Sequence, residues 1–164
     1  MSGADIDSKE ADGRTPLHHA AAGGYKNVVQ LLVQSGAYPD VSDIAGRTPL
    51  SYAAERGHAN IIRALRDVCP RTQSDGLGRT PLSYAAAEGH LACVWQLRSQ
   101  EQLDLKDFAG RTPLSYAAER GHEDVVRLLI AQGSDRFSRD DGGKTPLDYA
   151  LEEGHTSVAG LLGE

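Results

Sequence analysis

Five copies of Thr-Pro-Leu, beginning at Thr15, Thr48, Thr80, Thr112 and Thr145, divide the chain at intervals of 33, 32, 32 and 33 residues. Around them the repetition is close to verbatim. GRTPLSYAAERGH stands at Gly46 to His58 and again at Gly110 to His122, and the copy at Gly78 to His90 differs only at Ala87 and Glu88. A period of this length means one small supersecondary unit, used five times, that must bury its apolar face against its neighbours.

The unit can be read from its residues. In Thr48-Pro49-Leu50 the threonine hydroxyl suits a helix N-cap, and proline at the first helical position has no amide hydrogen to waste. The alanines Ala53 and Ala54 let a neighbouring helix approach closely, and Gly57 suits the left-handed backbone that ends the helix. A second apolar stripe follows, Val28, Val29, Leu31 and Leu32 in the first copy and Val125, Val126, Leu128 and Leu129 in the fourth, at the spacing of a short helix. Gly36 and Gly133 close it. Asp43 to Gly46 and Asp107 to Gly110 then supply turns in which Asp bonds its own backbone. Each unit is therefore expected to be helix, turn, helix and a projecting hairpin.

Helices of about ten residues are marginal alone, so stacking must hold them. The pattern resembles the ankyrin repeat, whose signature T-P-L-H-x-A is matched by Thr15 to Ala20, while Ser51, Ser83, Ser115 and Asp148 stand where that signature has His. The resemblance covers nearly the whole chain. It implies an all-α repeat solenoid, an ankyrin repeat stack of helix-turn-helix units with projecting β-hairpin loops. We read residues 1–164 as a single domain: the end of a partial repeat at 1–9, then repeats at about 10–42, 43–74, 75–106, 107–139 and 140–164.

The segment Gly3 to Gly13 reads as the tail and hairpin of a repeat whose helices are missing. The expectation is a segment of a longer array, with Met1-Ser2 as an added start and an uncovered apolar face on the first repeat. The last copy is abbreviated, and Gly160 weakens its second helix. In repeats two and three, one residue short, Leu65-Arg66 and Leu97-Arg98 stand against the Leu-Leu pairs of the first and fourth copies. There Cys69-Pro70 and Gln102-Leu103 replace the usual Gly-Ala. The middle of the array is expected to be its least stable interface.

Composition limits the function classes. A net charge of −6 with 24% charged residues argues against a nucleic-acid binder, which needs a basic face. No apolar run reaches the ~18 residues of a membrane span, and Met1 to Gly13 is polar rather than a leader, which points to the cytoplasm or nucleus. Cys69 and Cys93 form no C-x-x-C pair and read as reduced thiols. Nucleophile-elbow, phosphate-loop and zinc-protease motifs are absent, and the Asp-x-x-Gly turns lack a calcium loop's ligands. No cofactor or metal is expected. The recurring His58, His90, His122 and His155 sit one repeat apart, about 8–10 Å, too far to share a zinc ion. The resemblance assigns them to starting the second helix and tethering neighbouring loops.

Three columns remain as candidates. Tyr52, Tyr84, Tyr116 and Tyr149 suit an inter-repeat packing ladder with hydroxyls on polar atoms, and a groove lined by phenols is the other reading. Arg14, Arg47, Arg79, Arg111 and Lys144 follow the hairpin glycines, and Glu55-Arg56, Ala87-Glu88, Glu119-Arg120 and Glu152-Glu153 lie near the ends of the first helices. They fit both a lattice of surface ion pairs and a recognition surface. The hairpin tips vary most, with Ile44, Leu77 and Phe108 as apolar anchors. Trp95 falls on the opposite side, either as a back-face contact or as a lid over the irregular seam.

The resulting expectation is a non-catalytic module that binds a protein or peptide through Ile44, Leu77 and Phe108 at the tips and Arg47, Glu55, Arg56, Arg79, Glu88, Arg111, Glu119 and Arg120 along the groove. It is expected to bind no nucleic acid and no membrane, and to be monomeric with weak self-association through the uncovered first repeat. The alternatives are an enzyme using the groove for acid/base cyclisation or isomerisation, and a spacer from a longer array.

Overall fold

A computed structural model describes residues 5–163; the expectations placed on Met1-Ser2 and Gly3-Ala4 fall outside the described residues. Within them the chain forms five helix pairs: α1 (Pro16–Ala22) and α2 (Lys26–Gln34), α3 (Pro49–Glu55) and α4 (Ala59–Leu65), α5 (Pro81–Ala87) and α6 (Leu91–Leu97), α7 (Pro113–Glu119) and α8 (Glu123–Ala131), α9 (Pro146–Glu152) and α10 (Thr156–Gly163). The odd-numbered helices stack on one another as an inner layer and the even-numbered ones as an outer layer. No described helix is long and apolar enough to cross a membrane.

Local chemistry sets the helix starts. Proline occupies the first turn of every inner helix, and the Thr48, Thr80, Thr112 and Thr145 hydroxyls accept the backbone N–H three residues on. Gly57 follows α3 with φ of 77°, a left-handed turn that an L side chain would strain. The core runs unbroken between the layers. Leu17, Leu50, Leu82 and Leu114 from the inner helices and Ile62, Val94 and Val126 from the outer ones are fully buried. Alanines such as Ala53, Ala85 and Ala117 sit at the tight inner contacts.

Histidine joins successive units. The Nε2–H groups of His58, His90, His122 and His155 donate to the carbonyls of Ala22, Glu55, Ala87 and Glu119, at 2.9–3.0 Å, each at the end of the preceding inner helix. The imidazoles lie flat against the preceding turn. A Cβ on Gly57 would come 2.8 Å from the His90 ring. This is the tethering role, and among the described residues no His, Cys, Asp and Glu group could hold a metal ion.

The outer layer corrects the register expected for repeats two and three. Leu32, Leu65, Leu97 and Leu129 are each the seventh residue of their helix, and the latter three are fully buried. The arginines Arg66 and Arg98 therefore stand at the places of Val33 and Ile130, and the truncated positions are Ala64 and Gln96, opposite Leu31 and Leu128. Gly36 and Gly133, with φ near 95°, end the nine-residue α2 and α8. Without that glycine α4 and α6 stop after seven residues. Cys69 then takes a buried place like those of Ala37 and Ser134, while both Gln102 and Leu103 are buried beyond α6.

The first stripe is also uneven. Val29 is buried, whereas Tyr25, Val28 and Leu31 are exposed, because no helix pair covers that side of α2 among the described residues. The equivalent Val125 and Ile61 are buried by the repeat before them.

Candidate functional site

The loops preceding the inner helices project to one side as tight turns, with no strand among the described residues. In each of the second to fourth loops one aspartate organises the turn. Asp43 Oδ1 accepts the Ala45 and Arg47 amides at 2.9 Å, and Asp75 and Asp107 repeat the arrangement. The tips are laced by backbone bonds from Ile44 N–H to the Asp12 carbonyl, Gly76 to Ala45, Phe108 to Leu77 and Asp141 to Ala109. Ile44, Leu77 and Phe108 are exposed at these tips.

The second oxygen of each aspartate accepts the tyrosine hydroxyl of the following inner helix. Tyr52 donates to Asp43 at 2.7 Å, Tyr84 to Asp75 at 2.6 Å and Tyr116 to Asp107 at 2.5 Å, and Tyr149 to Asp140 likewise. Burial and this bond to a carboxylate push the Tyr84 and Tyr116 hydroxyls well above the ordinary tyrosine value. At neutral pH they are fixed donors.

Arginine fills the spaces between the rings. The Arg47 guanidinium lies 4.0 Å from the centre of Tyr52 and 4.5 Å from that of Tyr84, and Arg111 sits likewise between Tyr116 and Tyr149 at 4.1 and 4.4 Å. Each is also ion-paired across the groove, Arg47 with Glu55 at 2.8 Å and Arg111 with Glu119 at 2.7 Å. Their side chains are only 16% and 17% exposed. The column is a clamp between repeats as well as a surface.

The third repeat breaks this pattern. Ala87 stands where Glu55 and Glu119 stand in the flanking repeats, so Arg79 has no glutamate and turns back to Asp75, which it meets through Nε and Nη2 at 3.0 and 2.9 Å. The lost side chain leaves a concavity of ≈ 320 Å³ at the middle of the inner face. Six of the residues expected from sequence line it: Glu55, Arg79, Glu88, Arg111, Glu119 and Arg120. Arg47 and Arg56 do not, and the tip residues lie outside it. Glu88 and Arg120 are exposed and ion-paired with nothing among the described residues. The tyrosine column, for which a phenol-lined groove was the second reading from sequence, contributes Tyr84 and Tyr116 to the lining, whereas sequence reasoning missed Ser83 and did not single out Ala87. The signal was present in the change from Glu-Arg to Ala-Glu within an otherwise repeated stretch.

On the outer face Trp95 is 52% exposed with the Arg98 guanidinium stacked on it, so it is a surface residue beside the irregular seam rather than a lid over it.

The family model for ankyrin repeats matches the chain in three overlapping copies, over residues 1–73, 36–107 and 82–164. A comparison with curated proteins finds no match.

Proposed function

This chain belongs to the ankyrin repeat family, and on that premise we propose that it binds a segment of a partner protein in the central concavity of its inner face, with the hairpin tips as a second line of contact. Ankyrin repeats are in general protein–protein interaction modules, and the family is generally non-catalytic. The observation that carries the reading is the replacement of a groove glutamate by Ala87. The second, fourth and fifth repeats pair the groove cation with a glutamate at the end of the inner helix, Arg47–Glu55, Arg111–Glu119 and Lys144–Glu152. Ala87 stands at that place in the middle of the face, as Ala22 does in the end repeat, and makes space between Arg79, Glu88 and Arg120. A preformed rigid cavity costs little ordering entropy on binding.

Several features support binding over acid/base chemistry. Glu55 and Glu119 are committed to ion pairs, and the Tyr84 and Tyr116 hydroxyls are held protonated by burial and by their aspartates. A general acid or base needs a group that exchanges protons near the working pH. The exposed Ile44, Leu77 and Phe108 at the tips extend the contact area, and residues 1–164 act as one domain in this reading. Cytoplasm and nucleus are both compatible with it.

The test compares partner capture by this chain and by an Arg79→Ala, Glu88→Ala, Arg120→Ala variant, each checked for fold by circular dichroism. A partner lost from the variant, and protecting α5 and α7 amides in the parent, is the expected result. Equal capture by both proteins sinks the concave-face reading.

A further inference from the structure

On the opposite side of the molecule, where α4 and α6 stop short, two cavities meet. The first, ≈ 490 Å³, is walled by Leu91, Trp95 and the partly buried Leu128, with Asp124 at its edge. The second, ≈ 370 Å³, is lined by Arg66, Arg71 and Arg98. Trp95 and Gln96 line both, so an apolar trough opens directly into a cationic one.

The arginines are positioned without being neutralised. Arg66 Nη1 donates to Gln96 Oε1 at 2.8 Å, and Arg98 Nε donates to Gln132 Oε1 at 3.0 Å while its Nη1 reaches the Trp95 carbonyl. The Arg98 guanidinium also stacks on the Trp95 ring, at 3.3 Å from its centre. Neutral amides thus orient two guanidiniums, and neither Nη2 group has a hydrogen-bond partner among the described residues. Among the described residues neither Arg71 nor Arg98 is ion-paired, and Arg66 meets only the exposed Asp67 at 3.7 Å. This happens in a chain with 23 acidic against 17 basic residues. Three guanidiniums around one cavity, facing a single loosely held carboxylate, amount to a site short of about two negative charges.

We propose that this outer face is a docking site for a phosphorylated segment of a partner protein: the phosphate enters between Arg66, Arg71 and Arg98, and a bulky apolar side chain beside it lies against Trp95 and Leu91. A phosphate carries about −1.5 to −2 charges and three acceptor oxygens, which matches the uncompensated donors, whereas a carboxylate satisfies only one. The adjoining trough, walled by Leu91 and Leu128 as well as Trp95, fits a bulky apolar side chain, and the net charge of −6 disfavours a polyanion, so a peptide is the better occupant than a polynucleotide. The site is independent of the concave face.

Trp95 is the only tryptophan in the chain, so its fluorescence reports on this site alone. The probes are three short degenerate peptide libraries with phosphoserine, serine or glutamate fixed at the centre and apolar residues at the flanking positions. The phosphoserine library is expected to change Trp95 emission saturably and to bind at least about tenfold more tightly than the serine library. That change should be lost in Arg71→Gln and in Arg66→Gln, neither of which touches the Trp95 stack. The Arg79→Ala, Glu88→Ala, Arg120→Ala variant should bind like the parent, which separates this proposal from the concave-face reading. No saturable change with any library overturns it, as does equal binding of the glutamate library or undiminished binding by both arginine variants.

Discussion

The Nε2–H of His18, in the first repeat, donates to the carbonyl of Arg47, in the loop of the second, at 3.1 Å. Because a carbonyl only accepts, the proton is on Nε2, and Nδ1 is free to accept from the Thr15 amide at 3.1 Å and the Thr15 hydroxyl at 3.0 Å. One fully buried ring therefore caps its own helix and ties two repeats together. Ser51, Ser83 and Ser115 reach only the threonine of their own cap.

The first prediction concerns that bond. Replacing His18 by Ser should cost about 1–2 kcal/mol, as expected for a buried hydrogen bond and its lost packing. Introducing His at position 83 should add stability of the order of 1 kcal/mol, since the Arg111 carbonyl lies one repeat on in the same register. Urea unfolding of the two variants against the parent measures both. A neutral or destabilising Ser83→His would show that the third repeat cannot admit the ring.

His18 also predicts a pH dependence. Burial lowers its pKa below the ordinary 6.5, with the bond to Arg47 pulling the other way. The unfolded chain therefore takes up the proton first, and stability present above pH 6.5 declines as the pH falls toward the folded value. Proton NMR should show the His18 ring titrating below the ordinary 6.5. His18→Ser should flatten the stability curve below pH 6.5.

Asp75 is the most heavily bonded carboxylate of the inner face. Burial tends to raise its pKa, but the Tyr84 hydroxyl, the Arg79 and Leu77 amides and the Arg79 guanidinium outweigh that and hold it below 3.8. A depressed carboxylate stabilises above its unfolded pKa and loses that contribution as the pH falls through the folded one. Asp75→Asn should cost about 1–3 kcal/mol at pH 7 and less at pH 3, measured by denaturant titration at both. An equal loss at both values would contradict the assignment.

The seam can be followed through its thiols. Burial pushes Cys69 up to about 12 and Cys93 up to about 11, so neither is a thiolate at neutral pH. Cys69 donates to the Pro39 carbonyl at 3.2 Å, and Cys93 is fully buried on α6. Their reaction with a disulfide reagent should be limited by local opening of α4 and α6, faster than global unfolding. Hydrogen exchange should likewise be faster in α4 and α6 than in α8. Strongest protection in the middle pair would overturn the expectation of a weak centre.

Much of this was legible in the sequence because it depends on near neighbours. Thr-Pro at a helix start, Gly57 after a helix end and Asp43 before a turn act within a few residues, and five copies at a fixed interval leave stacking as the only way to bury Leu50 or Val126. The same repetition gave the columns of Tyr, Arg and Glu. The register of the outer helices was harder, because Arg66 and Arg98 look like breaks in a leucine pair until the position along the helix is counted.

Tertiary structure decided what depends on partners one repeat away. Sequence placed Arg47 and Arg111 in a groove, but only packing shows each guanidinium held between two tyrosine rings and a glutamate, and so largely withdrawn from solvent. It placed Trp95 outward, but not beside three arginines, two of which, Arg66 and Arg98, have as partners the neutral glutamines Gln96 and Gln132 of the following repeat. Local conformation follows from short-range sterics and capping, which a sequence spells out. Cavities and uncompensated charge arise from side chains brought together across about thirty residues, and the shape of the stack alone determines which of them meet.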